Sequence, residues 1–480
     1  MTENSALNTG SHDLPVSKAL AEFMRTGWAD TAREDITPLP VARWTAKRRA
    51  ALAARFPAER IVVPSGVLKV RSNDCDYRFR SHSAFTYLTG GREPDDVLVI
   101  DPSGQATLFI RPRSPRNAEG EAGQEFYRDR RYGDFWVGRR LDLAEAETLY
   151  QMECAPLAKL PEALSGTAPT RVLRGVDPAV DALVPPHDVP DADAELEAHL
   201  SEMRLIKDEW EIAELQFAVD ATVRGFEDVV RALPAALAHP RGERYVEGVF
   251  GLRARLEGNA TGYESIVASG ANACVLHWIR NDAPLPADGL LLLDAGVETD
   301  NLYTADITRT LPLSGRFDPV QRQVYELVYE AQNAAMKALR PGARFRDFHL
   351  AAMRVIAEGL ADWGVLKISA DEAMDPENGL YRRYTLCSSG HMLGLDVHDC
   401  AKARAETYLD GVLAEGNVLT VEPGLYFQPD DLTLPPELRG IGVRIEDDLV
   451  ITADGARLMS AGLPRHPDEV ENWMATLLAG

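Results

Sequence analysis

LLLLDAGVETDNLYTADITRT, residues 290–310, decides the fold. The aliphatic run Leu290–Leu293 ends in Asp294, a turn over 298–302 reverses the chain, and a second extended run starts at Asp306. This reads as a hairpin carrying a carboxylate at an end of each strand. Three later stretches repeat the pattern of an acid or imidazole beside a strand: His391 in GHMLGLDVH, Glu422 in LTVEPGLY and Glu446 in GVRIEDD. Four carboxylates and one imidazole suit a pair of hard divalent ions.

Each of these residues also has an ordinary reading. Asp294 before Ala295 and Gly296 can be a turn acid, Asp306 can brace the hairpin, and His391 can be a satisfied core histidine. Glu422 can simply end a strand, and Glu446 with Asp447 and Asp448 can form a solvated acidic edge. Alternation along strands argues the other way. In GVRIEDD, Arg444 and Glu446 share one face while Val443 and Ile445 share the other; in NVLTVEPG, Glu422 follows Val418 and Thr420 on one face of an apolar strand. A carboxylate buried there is costly unless it is paired or metal-bound.

A chain of 480 residues exceeds one ordinary domain, and two are expected. With 45% hydrophobic and 26% charged residues the composition is that of a globular protein, and Leu290–Leu293 is too short to span a bilayer, so no membrane segment is expected. The start (Thr2, Glu3, Asn4, Ser5) lacks a basic stretch followed by an apolar one, which points to the cytoplasm. Five scattered cysteines without a CxxC pair read as free thiols. A formal charge of −23 without a dense basic cluster argues against nucleic acid as a partner.

The chain divides as follows. Residues 1–40 form an N-terminal arm with one helical piece at 16–27. Residues 41–185 form a first α/β domain with strands at 60–64, 96–100 and 106–110. VPPHDVPDAD (184–193) is too rich in proline and acid to join a packed element, so 186–200 is read as a linker. The second domain, 201–480, opens on a helix expected over 201–233 and ended by Pro234; short strands and helices then alternate, including helices at 320–339 and 468–478.

With these motifs in view, the chain resembles the aminopeptidase P family of the pita-bread metallopeptidases. The resemblance covers most of the chain. It rests on VLHW, LLLLDAGVETDNLYTADITRT, GHMLGLDVHD, TVEPGLYF and GIGVRIEDD, on SEMRLIKDEWEIAEL at the start of the second domain, and on RSNDCDYRFRSHSAFTYLTG and FWVGRRL in the first. It implies a creatinase/prolidase-like α/β domain followed by a pita-bread catalytic domain, together an α/β (α+β) fold. It further implies two Mn2+ ions: Asp294 chelating one, Asp306 and Glu446 bridging both, His391 and Glu422 completing the second. Glu422 would be the general base, with His398 and His277 contacting substrate and developing charge. Tyr426 and Arg444 would border the cavity, while Asp74 and Trp136 would reach a neighbouring subunit's site in a homodimer or homotetramer. Taken alone, His277 reads as a strand residue, Trp136 as a core aromatic and Asp74 as a turn acid. The implied activity is removal of the N-terminal residue from peptides with proline at position two.

Two departures stand out. Asp294 and Asp306 are 12 positions apart (306 − 294), one more than is commonest in the family, which a longer turn absorbs. At Cys387, four positions before His391, most relatives carry a histidine lining the pocket for the leaving side, so rate or substrate choice is expected to differ while metal binding survives. The runner-up activity is prolidase, which uses the same five ligands on dipeptides; FWVGRRL favours the aminopeptidase. A non-catalytic pita-bread binding module is the third reading, opposed by the retention of all five ligands and both histidines.

Overall fold

RIVVP, VLVI and ATLFI form the heart of the first sheet because β-branched and large apolar residues suit a pleated, covered surface. In the computed structural model, which describes residues 14–29, 33, 35–120 and 122–479, these are β1 (Arg60–Pro64), β2 (Val97–Ile100) and β3 (Ala106–Ile110). With β4 (Glu153–Pro156) and β5 (Thr170–Val172) they make a five-stranded sheet in the order β4-β3-β2-β1-β5, antiparallel at its centre and parallel at both edges. Val62, Val97, Val99, Phe109 and Val172 form its core with Leu160, Leu164, Val180 and Val184. This sheet belongs to the first of two compact units, residues 1–200; the second comprises 201–480. The first unit also contains helix α1 (Ala42–Arg55) and a short helix at Lys18–Met24. Part of the predicted arm, residues 1–13, 30–32 and 34, lies outside the described residues.

The passage read as a linker is more ordered than its composition suggests. Val184 is in the core, and Ala192–Glu202 is helix α2, with Leu196 and Leu200 buried. Two of its acids have partners: Asp193 accepts from the Val172 amide and from Arg174, and Glu195 from Arg171. Within a stretch read as unable to join a packed element, these two acids accept from Arg171 in β5 and from Arg174 just beyond it.

The helix expected over 201–233 is α3, Glu209–Leu237. It starts late because Asp208 caps it reciprocally with Glu211, and it runs through Pro234 because a proline so near the end removes a single backbone bond from the last turns. After it come α4 (Gly242–Glu257), α5 (Pro319–Ala338), α6 (Phe345–Asp362) and α7 (Pro467–Ala479). In this unit β7 (Leu290–Ala295) lies between β6 (Ile266–Ser269) and β8 (Ile307–Pro312), all antiparallel. β9 (Val418–Val421) pairs with β12 (Asp447–Thr452), which also pairs with β13 (Gly455–Leu458), while β10 (Gly424–Tyr426) pairs with β11 (Gly442–Arg444). GVRIEDD is therefore not one strand; it is interrupted at Ile445 and Glu446. Among the described residues no helix is long and apolar enough to cross a membrane.

Candidate metal centre

The two aspartates of the hairpin are brought together by backbone register. Asp294 stands opposite Thr308, and Asp306 immediately precedes β8. The strands come so close beyond Asp294 that a Cβ on Gly296 would sit 1.7 Å from the Ala305 carbonyl oxygen, so only glycine fits there. Glu446 joins them because its amide donates to the Thr308 carbonyl at 3.0 Å. His391 is laid beside β9 by reciprocal bonds with Thr420, whose amide donates to the His391 carbonyl. Gly390, with φ +156°, lets that approach happen: a Cβ would be 2.1 Å from the Thr420 oxygen.

Asp306, His391 and Glu446 form the middle of the site, their donor atoms all within 4.8 Å of one another. His391 Nε2 lies 3.3 Å from Asp306 Oδ2 and 3.4 Å from Glu422 Oε1. Its Nδ1 is 3.1 Å from the Met392 carbonyl, so that nitrogen carries the proton and Nε2 faces the carboxylates. On the other side the Tyr263 hydroxyl is 2.6 Å from Asp294 Oδ1 and 2.5 Å from Asp306 Oδ1. Arg444 donates to Asp294 Oδ2 (2.6 Å), to Thr308 Oγ1 (3.1 Å) and to the Tyr426 hydroxyl (2.9 Å). Thr308 in turn donates to Glu446 Oε2 at 2.7 Å.

The other Glu446 oxygen, Oε1, is buried and has no hydrogen-bond partner among the described residues, and the same holds for Asp448 Oδ1. An orphaned carboxylate oxygen in the interior is costly, and four acids converge here on one arginine and one histidine. The consequence is visible in their proton affinities. Burial, then Asp306, Glu422 and Asp294, push Glu446 well above the ordinary carboxylate range; burial likewise raises Asp306 and Glu422. Such a cluster lacks positive charge, and all its donors are oxygen or imidazole nitrogen. It fits hard or borderline divalent cations, and each carboxylate oxygen already bonded to Tyr263 or Arg444 keeps a second lone pair for a ligand bond.

Two buried side chains brace the acidic strands from behind. Gln332 on α5 donates to the carbonyls of Val421 and Ile445, the residues immediately before Glu422 and Glu446. Arg309 donates to the Glu446 carbonyl and to Asp447. The His398 ring meets that of His391 edge-on at 4.5 Å between centroids; although part of His398 reaches solvent, desolvation of its ring side, followed by the His391 charge, lowers its pKa. His277 is exposed on the irregular segment after β6. Tyr426 and Arg444 are buried; Arg444 bonds Asp294, and the Tyr426 hydroxyl accepts from Arg444. Cys387 is exposed and lines a small cavity of about 250 Å³ with His349, Tyr381 and Arg382.

Asp74 and Trp136 belong to the first unit. There Asp74 accepts from Arg130 at 2.8 Å, and the Arg130 guanidinium stacks on the Trp136 ring, 5.0 Å from its centre. Trp136 is 45% exposed, between the still more exposed Phe135 and Val137. Sequence reading missed Tyr263, Thr308, Arg309, Gln332 and Asp448 as parts of the site. Of these only Asp448, next to Glu446 in an acidic run, had a visible signal.

The chain belongs to metallopeptidase family M24, whose model matches residues 213–453. The aminopeptidase P N-terminal domain matches 45–172. Xaa-Pro aminopeptidase 1 of Streptomyces coelicolor is 55% identical over 466 residues, spanning 96% of this chain and 93% of its own length; Xaa-Pro aminopeptidase 2 of the same organism is 53% identical over 466 residues, at 96% and 97%. Among solved structures, the aminopeptidase PepP of Pseudomonas aeruginosa superposes with a TM-score of 0.80 at 31% identity, covering 92% of this chain and 100% of that one.

Proposed function

We propose that the chain is an Xaa-Pro aminopeptidase that hydrolyses the bond between a free N-terminal residue and a following proline. The observation that carries this is the gathering of Asp294, Asp306, His391, Glu422 and Glu446 around a buried carboxylate oxygen without a partner, in a chain that matches named Xaa-Pro aminopeptidases along nearly its whole length. Asp294, Asp306, His391, Glu422 and Glu446 would hold two divalent ions, which we assign as Mn2+. When bound, such a pair lowers the pKa of a water and polarises the scissile carbonyl.

The side chains divide the remaining work. Glu422, at the open end of β9, accepts the proton of the attacking water and returns it toward the proline nitrogen. His398, beside His391, donates to the oxygen that gains charge in the transition state. His277 contacts the substrate near the scissile bond. Tyr426 and Arg444 keep Asp294 aimed inward, and Tyr263 holds the two hairpin aspartates at a fixed separation. Because an imide has no N–H, a pocket for proline recognises ring shape in place of a donor.

We assign Asp74 and Trp136 to a partner subunit's site in a dimer or tetramer, a role suited to the exposed Phe135–Val137 edge. The cytoplasm suits the five cysteines, all free. The deciding assay compares an Xaa-Pro-Xaa tripeptide with an Xaa-Pro dipeptide. Cleavage of the tripeptide with release of its first residue is expected; hydrolysis confined to the dipeptide would make the chain a prolidase.

A further inference from the structure

Glu243, in the first turn of α4, is completely buried, yet it makes no ion pair among the described residues. Its carboxylate instead accepts five hydrogen bonds. Oε1 takes the Ser269 amide, the Ser269 hydroxyl and the Asn272 side-chain amide, each at 2.9 Å. Oε2 takes the Trp278 indole N–H and the Ala283 amide, both at 2.9 Å. The Glu243 backbone amide also donates to the Ala283 carbonyl at 3.1 Å.

Two oxygens offer about four lone-pair directions, so five donors saturate the group and leave it nothing to offer a ligand. What the carboxylate does is gather the end of β6, the turn after it and the irregular chain up to residue 283. That segment carries His277. Leu276 and Trp278 pack against the buried Ile266, Ala268, Cys274, Leu292 and Tyr426, while His277 between them is exposed. The loop thus has its two inward residues seated in the core and Trp278 tied by name to one carboxylate oxygen. An apolar filler could occupy the same volume, but only a directional acceptor selects a single conformation of so irregular a stretch.

We propose that Glu243 is a positioning residue for the peptidase reaction, acting through the Trp278 indole to hold the His277 imidazole at the substrate. This inference rests on the aminopeptidase reading of the site. Removing the indole N–H by Trp278→Phe leaves the other four bonds to Glu243 intact and spares the fold. Glu243→Gln weakens all five.

The experiment measures kcat and KM for an Xaa-Pro-Xaa peptide, bound metal and Tm on the full-length, metal-loaded enzyme, for His277→Ala, Trp278→Phe, Glu243→Gln and each of the latter two combined with His277→Ala. A lost charged hydrogen bond predicts a fall of about five-fold or more in kcat/KM for Trp278→Phe and for Glu243→Gln. The loss should divide between kcat and KM as in His277→Ala, with wild-type metal content. In the His277→Ala background neither substitution should cost more than about two-fold further, because residues acting as a unit are not additive. Losses that multiply, or wild-type kinetics in Trp278→Phe, overturn the role of Glu243 while leaving the peptidase reading intact. If Glu243→Gln does not fold, Trp278→Phe alone decides. Wild-type kinetics in His277→Ala overturn the positioning role alone, whereas no cleavage by the wild-type enzyme overturns the peptidase reading and the inference with it.

Discussion

Replacing Lys207 by methionine should cost the second unit about 3 kcal/mol of stability. Its ammonium is fully enclosed and donates to Asp399 Oδ2 at 3.0 Å, while Arg204 Nε stands 3.2 Å from the other oxygen. Asp399 follows His398 directly, and its amide donates to the Met392 carbonyl, which closes the loop between the two histidines. Methionine keeps the apolar stem of lysine and removes the charge. Breaking one partner from a buried pair costs about 3–5 kcal/mol. With Arg204 still in place the lower end applies, which for a unit of this size lowers Tm by roughly 6–12 °C. Asp399 also makes the variant's stability depend on pH. Burial raises its pKa, but Lys207 and Arg204 outweigh burial and hold it below the ordinary carboxylate range. A depressed folded-state pKa contributes stability that is present above the unfolded value and lost as pH falls through the folded one. Without Lys207 the folded value rises toward or past the unfolded one, so the variant loses this stabilisation at neutral pH and its deficit relative to wild type should narrow as pH falls. Thermal and urea denaturation across pH 4–8 is the assay, with Lys207→Met/Asp399→Asn as the control that neutralises the stranded acid. A Tm within about 2 °C of wild type, or a double variant less stable than the single one, would refute the reasoning.

Other substitutions test other parts of the site. Gly296→Ala puts a Cβ 1.7 Å from the Ala305 oxygen and should separate the two hairpin aspartates, lowering both bound metal and Tm; wild-type values for both would contradict the packing argument. Cys387→His restores an imidazole at the rim of the small cavity, and a hydrogen bond gained or lost in the transition state should change kcat/KM by about five-fold or more without changing metal content. Unchanged kinetics would remove Cys387 from the substrate pocket. Light scattering at micromolar concentration should show a dimer or larger, and a fully active monomer would contradict the roles given to Asp74 and Trp136.

The strand-end acids and His391 are legible because Asp294, Glu422 and Glu446 close short apolar runs while Asp306 and His391 stand just before one, so five weak signals reinforce one another. Strands at 60–64 and 106–110 were read to the residue because turn-forming sequences flank them. The partners of the acids were not legible. Tyr263 is separated by 31 and 43 positions from the aspartates it touches, and Gln332 by 89 and 113 from the carbonyls it braces. No local periodicity encodes such distances. The stretch 184–193 looks unable to join a packed element for a related reason: the Val172 amide and the arginine that Asp193 binds lie about twenty residues earlier. Pro234 was read as a helix end because its sequence does not say how near the end already is.

The most direct test of the metal centre is the metal bound by Glu446→Gln, measured on a sample whose hydrolysis of an Xaa-Pro-Xaa peptide is followed in parallel. Glutamine keeps the shape and removes the charge of the carboxylate that offers an unpartnered buried oxygen. The account predicts about two divalent ions per wild-type chain, as in two-metal hydrolases, with loss of most metal and nearly all turnover in the variant while Tm is maintained. A variant that retains both ions and cleaves the peptide at the wild-type rate would contradict it.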